Sequence, residues 1–209
     1  MQKDGGFAVI EPSRFLVQSA DRDEWLRVRA TGVTATMVGR AFDSAGFRET
    51  VGQMIDPTPI ADNAYMAFGR QQEPIIIDKL ATRFDIEGND WLIASAEASW
   101  MMATPDGLSP DHGTIVEVKT TGKDWASWDE VNPAYHRQVQ WQLFVTGAEE
   151  CLFAWQLRRQ RNKEFVPAWP GPKYLTVKRH QPTIDRCIDV AHRLIAARDA
   201  ALALRDEQR

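Results

Sequence analysis

The segment ATPDGLSPDHGTIVEVKTT holds two carboxylates and an amine at a spacing that can do chemistry. Asp106 sits in a Pro-Asp-Gly turn, and Glu117 and Lys119 follow on either side of Val118. Side chains alternate along a strand, so Glu117 and Lys119 share a face, and a return strand would set Glu117 beside Asp106. Two adjacent carboxylates repel unless a hard cation lies between them. Magnesium suits such a site because it prefers oxygen ligands and keeps several waters, with manganese as a substitute. The main-chain carbonyl of Val118 would add a ligand. The Lys119 ammonium would then orient a water, or help deprotonate it, for attack on phosphorus. The metal would lower that water's pKa and offset charge in the transition state, and a second metal would stabilise the leaving oxygen. Each piece taken alone has an ordinary reading: Asp in Pro-Asp-Gly is a turn former, and an alternating Glu-Val-Lys is a solvated strand face.

These residues need elements to hold them. Before the segment, SADRDEWLRVR starts a helix with Asp21 and Glu24 at capping-box spacing, and TATMVGRAF starts another capped by Thr34. Residues 42–61 carry Gly46, Gly52, Pro57 and Pro59 and read as a loop with at most one helical turn. A longer helix is predicted from Asp62 to about Phe84, kinked or split near Glu73 by Pro74. WLIASA, SWMMAT and TIVEVKTT then read as three strands. NPAYHRQVQWQLFVTG reads as a helix with Pro133 in its first turn and Gly147 at its end. CLFAWQL and KYLTVKRH are two more strands separated by a proline-rich loop, and a long amphipathic helix runs from Pro182. This order predicts an α/β fold in which a central mixed β-sheet is flanked by helices, with residues 1–209 as one domain.

The bulk composition narrows the classes. With 209 residues, 44% hydrophobic and 26% charged, the chain sits near the globular average, which excludes disorder throughout. It has no apolar run long enough to span a membrane, and MQKDGGFAVIEPSR lacks the layout of a signal peptide, so the cytoplasm is expected. Cys151 and Cys187 have no CxxC or His-Cys partner and read as buried, reduced thiols, too few for an iron–sulfur cluster. A net charge of −4 argues against a surface that coats nucleic acid, but leaves room for a local basic channel. Between Leu157 and His180 lie Arg158, Arg159, Arg161, Lys163, Lys173, Lys178 and Arg179, against Glu164 alone. That stretch is either a solvated basic loop and strand or a face that follows phosphates.

The pattern PD…ExK resembles the PD-(D/E)xK nuclease superfamily and, within it, the lambda-type phage alkaline exonucleases or viral recombinase nucleases. The resemblance runs from about Trp25 to Val145 through five ordered matches: WLRVRATGVTAT, AFGRQQE, TPDGL, IVEVK and YHRQVQWQLFVTG. It implies a single PD-(D/E)xK nuclease domain in which Asp106 and Glu117 bind the metal, Val118 lends its carbonyl and Lys119 is the catalytic lysine. Glu73 matches a further acidic residue that reaches the metal through water. Gln138 matches a helix glutamine near the attacking water or scissile phosphate, and Gln140 is a further candidate. Arg29, Thr34 and Thr36 match positions that grip a DNA 5′ phosphate, a role suited to a bidentate guanidinium and to hydroxyls at a helix start. Pro74 directly after Glu73, and Thr36 in place of serine, depart from the family pattern.

The resemblance also implies an activity. Family members digest linear double-stranded DNA from its 5′ end and leave a 3′ single-stranded tail; their known forms include ring-shaped homotrimers, and their usual partner is a single-strand annealing protein in phage recombination within the bacterial host. An apolar wedge for strand separation would come from Phe47, Val51 or Met54, whose alternative role is ordinary packing. Two other readings stay open: a structure- or sequence-specific PD-(D/E)xK endonuclease, and an inactive DNA-binding module. The presence of Asp106, Glu117 and Lys119 together weighs against the last.

Overall fold

The computed structural model describes residues 9–58 and 61–207. A short 3-10 turn, Pro12–Arg14, leads into β1 (Phe15–Gln18), followed by α1 (Arg22–Arg29), β2 (Val33–Thr34), α2 (Ala35–Arg40), α3 (Ser44–Ile55) and α4 (Ala64–Ala81). Then come β3 (Glu87–Gly88), β4 (Trp91–Ala94), β5 (Met101–Ala103), β6 (Gly107–Leu108) and β7 (Thr114–Thr121). The chain continues through a second 3-10 turn, Trp128–Glu130, into α5 (Pro133–Thr146), β8 (Glu150–Arg161), β9 (Glu164–Pro167), β10 (Lys173–Lys178) and α6 (Gln181–Glu207).

The fold is mixed α/β with helices flanking the strands, and the described strands form two mixed sheets rather than one. The smaller has the order β1-β4-β5-β2, with β2 parallel to β5. The larger has the order β10-β8-β7-β6-β3, with β9 appended to β8. Its β7 and β8 are parallel and joined by α5, because a parallel pair needs a long crossover connection.

Strand β7 explains how the layers assemble. Its β-branched residues alternate, so Ile115 enters the main core with Val139, Leu143 and Phe153, while Val116 and Val118 pack with Ile76, Ile77 and Leu80 of α4. Helix α5 therefore covers one face and α4 the other. Glu117 and Lys119 have the parity of Ile115 and lie on the α5 face. The cross-strand neighbours of Glu117 and Lys119 on β8 are Phe153 and Trp155.

Several local expectations change. Residues 44–55 form a helix, not a loop, because the Asp43 side chain accepts from the amides of Ala45 and Gly46 and caps it. Gly46 is no breaker there: a Cβ would stand 2.2 Å from the Arg40 carbonyl oxygen, so the close approach requires glycine. Phe47, Val51 and Met54 are partly buried and pack against the core from α3, in keeping with their packing role. Pro74 does not split α4, which continues to Ala81. The capping box at α1 is not formed, since Glu24 pairs with Arg27 instead. The proline-rich loop contains β9, turned back from β8 at Asn162 and Lys163, both with positive φ. Cys151 and Cys187 are free and buried, as expected.

Candidate active site

Asp106 is held by its own backbone. Its amide donates to the Val116 carbonyl at 2.9 Å, and its Oδ2 accepts from the Val118 amide at 2.6 Å. The turn is braced from behind by Asn89, whose side-chain amide donates to the Pro105 carbonyl at 2.8 Å and whose backbone amide donates to the Asp106 carbonyl at 3.0 Å. The antiparallel β6–β7 pair, Gly107 opposite Val116, makes the return strand that the spacing required.

Glu117 is the most enclosed member, 2% exposed. Its Oε1 accepts from the Gln138 amide at 2.7 Å and from the Lys119 ammonium, and its Oε2 accepts from the Gln142 amide at 2.7 Å. Lys119, 18% exposed at its side chain, also lies over the Tyr135 ring with Nζ 4.9 Å from the centroid. Glu73 reaches the same neighbourhood from α4. Burial pushes its carboxyl above the usual range, and the Glu117 charge adds to that. Burial also pushes the Asp106 carboxyl well up, with the charges of Glu117 and Glu73 acting the same way. Burial works against the Lys119 ammonium, but the charges of Glu117 and Asp106 outweigh it and hold the pKa above its ordinary value.

Three carboxylates facing one ammonium leave an excess of negative charge in a place with little water. That imbalance fits a divalent cation. Among the described residues no three side chains of His, Cys, Asp or Glu converge closely enough to form a cage. Two carboxylates, Asp106 and Glu117, with a main-chain carbonyl and waters suit magnesium, which seldom has an all-protein shell.

Two of the glutamines on α5 serve the site and one does not. Gln138 and Gln142, four apart, share a helix face and grip both oxygens of Glu117. Gln140 points elsewhere: its amide donates to the Lys178 carbonyl at 2.9 Å, and its oxygen accepts from the His180 amide at 2.7 Å. It stitches α5 to the end of β10 and is removed from the candidates. Gln142 was missed by sequence reasoning, although its i,i+4 spacing from Gln138 was the available signal. It is 1% exposed, and its oxygen has no partner among the described residues.

A second cluster lies beside the first. Strand β2 runs parallel to β5, Thr34 opposite Met102, so their carboxyl ends, one leading to α2 and the other to Asp106, emerge on one side. There Arg29 donates to the Thr34 hydroxyl at 3.4 Å. Its guanidinium lies 5.1 Å from the Trp25 ring centroid, with Arg22 4.9 Å from the same centroid. Burial lowers the Arg29 pKa, and the positive charges of Arg22 and Arg40 lower it further. Neither Arg22 nor Arg40 was singled out from the sequence. Thr36 is brought to the first turn of α2, exposed, rather than onto Arg29.

The fold has known counterparts. The alkaline exonuclease of Laribacter hongkongensis has a similar structure, with a TM-score of 0.68, 21% identity, and coverage of 89% of this chain and 97% of that one. The same enzyme in complex with dAMP gives a TM-score of 0.70 at 21% identity over the same shares. A phage-related exonuclease from Haemophilus somnus 129PT gives 0.63 at 13% identity, over 82% of this chain and 95% of that one. In sequence, an uncharacterized protein of Acanthamoeba polyphaga mimivirus is 26% identical over 151 residues, 62% of this chain, which spans only 28% of that relative's length. The family model described as the YqaJ-like viral recombinase domain matches residues 24–149, a span that contains Arg29, Glu73, Asp106, Glu117, Lys119 and Gln138. The chain belongs to the YqaJ-like viral recombinase domain family.

Proposed function

We propose that this protein is a magnesium-dependent deoxyribonuclease that digests linear double-stranded DNA from the 5′ end and leaves 3′ single-stranded tails for recombination by strand annealing. The observation that carries the reading is the convergence of Asp106, from the turn before β6, with Glu117 and Lys119 of β7 and Gln138 of the covering helix α5. Asp106 and Glu117 would hold the metal, with the Val118 carbonyl as a further ligand and Glu73 acting through water. When bound, the metal supplies Lewis-acid stabilisation of charge on the reacting phosphate.

The chain's own residues supply the rest. Gln138 and Gln142 hold the Glu117 carboxylate in one orientation. Lys119 would set its amine beside the incoming water, where it orients that water as the ammonium or takes its proton as the neutral amine. Arg29 and Thr34, with Arg22 and Arg40 nearby and Thr36 on the adjoining helical turn, form a basic notch for the 5′ phosphate exposed after each cut. A guanidinium that already carries the cost of burial among like charges gains most from an anion. The protein would work in the host cytoplasm as a homotrimeric ring, alongside a single-strand annealing protein that coats the 3′ tail.

The test uses three substrates with magnesium: linear duplex with 5′-phosphate ends, the same duplex with 5′-hydroxyl ends, and closed circular duplex. The expected result is digestion of the phosphorylated linear duplex to 3′-tailed products, slower digestion of the hydroxyl form, and an intact circle. Lys119→Ala should lower the rate by about 10²–10⁴-fold, the range for a positioned proton-transfer group. Cutting of the circle would instead establish an endonuclease, and binding of DNA without turnover would establish an inactive module.

A further inference from the structure

Of the seven basic residues between Leu157 and His180, four have structural partners. Arg158 donates to the Thr120 carbonyl at 2.6 Å and lies over the Tyr65 and Phe165 rings. Lys173 pairs with Asp124, Lys178 pairs with Glu150, and Arg179 donates to the Leu143 carbonyl at the end of α5. The other three, Arg159, Arg161 and Lys163, are exposed, and none takes part in an ion pair among the described residues.

Their placement is directional. Strand β8 pairs with β7 only as far as Leu157, so its last four residues, with β9, form an arm that projects past the carboxyl end of β7. The turn at the tip uses Asn162 and Lys163 with φ of 50° and 68°, the left-handed geometry of a tight hairpin. The arm is fastened on its α4 side. The Phe165 ring packs at a tilt, its centroid 4.8 Å from that of Tyr65 and 6.1 Å from that of Phe68, and Arg158 ties the base of the arm to β7 one residue after Lys119.

Alternation then decides what the other side presents. Phe153 and Trp155 lie opposite Glu117 and Lys119 in register and share their face. Arg159 and Arg161 have the same parity, so they continue that face outward, while Arg158 and Phe165 turn toward α4. Arg159 and Arg161 lie about 13 Å and about 20 Å along β8 from the position beside Lys119, at about 3.3 Å per residue. A DNA strand places a phosphate about every 3.4 Å of helix axis, so this corresponds to about four to six nucleotides from the catalytic lysine. One carboxylate, Glu164, opposite Arg161 in the hairpin, stands against the three cations.

We infer that the β8–β9 arm is a second DNA contact, in which Arg159, Arg161 and Lys163 follow the phosphates of the duplex ahead of the cutting site. The inference rests on the nuclease reading above and adds a surface that the catalytic residues do not include. Its ligand is the sugar–phosphate backbone of duplex DNA, read without regard to sequence. The arm gives affinity and register, not chemistry.

The experiment measures binding of 5′-phosphorylated blunt duplex by fluorescence anisotropy across a salt series, with Lys119→Ala as the non-cutting parent. The variant adds Arg159→Ala, Arg161→Ala and Lys163→Asn, asparagine being tolerated at positive φ. A second variant, Arg159→Lys with Arg161→Lys, keeps the charge. The expected result for the neutral variant is at least a roughly ten-fold weaker affinity near 0.1 M salt. Its plot of log affinity against log salt should be shallower by about 3, at about 0.9 for each phosphate no longer neutralised. The lysine variant should stay near the parent, and thermal midpoints of all three should agree. Unchanged affinity and slope in the neutral variant would overturn the arm while leaving the nuclease reading standing. The same series is run with single-stranded DNA of equal length, and weakening seen only there would overturn the duplex assignment. A parent that binds no DNA at all would overturn the nuclease reading itself.

Discussion

Glu117 is a carboxylate buried among three donors, and each donor has a different origin. Lys119 comes from the same strand, while Gln138 and Gln142 come from the helix that crosses over it. A hydrogen bond to a charged group contributes about 1.5–3 kcal/mol, and a buried acceptor left without its donor loses that amount. Gln142→Leu keeps most of the volume and removes the donor to Oε2. The expected outcome is a fall in kcat of about ten- to hundred-fold, the rate equivalent of that energy, with KM for DNA little changed. The magnesium concentration for half-maximal rate should rise as well, because Glu117 would no longer be held in one orientation. Steady-state kinetics across a magnesium series reads both, and a variant within two-fold of the parent would remove Gln142 from the site. Gln140→Leu is the internal control: its partners lie at Lys178 and His180, so it should affect stability rather than kcat.

At the scale of elements, stability rests on caps and tethers that sequence patterns name unevenly. Helix α3 begins on the Asp43 side chain, and Asp43→Ala should cost about 1 kcal/mol, read as a lower urea midpoint with an unchanged slope. His112 holds the start of the described chain: its Nδ1 accepts from the Ile10 amide at 2.8 Å, which only a neutral ring can do. Burial lowers the His112 pKa, opposed by Asp111 and aided by Arg14. The folded protein thus favours the neutral ring relative to the unfolded chain. Its contribution is complete above the unfolded value of about 6.5 and is lost as pH falls through the folded value. Urea unfolding between pH 7.5 and 5 should show this loss, and His112→Gln should flatten that part of the profile. An identical pH slope in the variant would exclude His112 as its source.

For the whole molecule, the mild net acidity and the proposed DNA substrate are compatible because the basic groups are gathered rather than spread. Arg22 and Arg40 lie near Arg29, and Arg159, Arg161 and Lys163 sit on the arm. A closed ring would turn such patches toward one channel and leave the acidic exterior in solvent. The expected outcome is that sedimentation equilibrium gives about three times the chain mass, without concentration dependence over the micromolar range. A monomer that still digests long duplex to completion in one encounter would sink the ring as the basis of forward movement. Such digestion would then have to come from the notch and the arm on one chain.

Much of this was legible in the sequence alone. The strand Thr114–Thr121 and the helix Pro133–Thr146 have the bounds expected from alternation, from the proline at the helix start and from the glycine at its end, because these signals are local. The Asp106, Glu117 and Lys119 triplet followed from strand parity and one turn, and Gln138 and Glu73 from the family resemblance. Local signals failed where a long-range contact overrode them. Gly46 looked like a breaker until the Arg40 carbonyl occupied the space of a Cβ, and β9 looked like loop until the β8 hairpin paired it. The separation of the strands into two sheets, the choice of Gln142 over Gln140, and the division of seven basic residues into four with partners and three without an ion pair among the described residues depend on which surfaces meet. Residues far apart in the chain meet only once burial of both faces of β7 has fixed the layers.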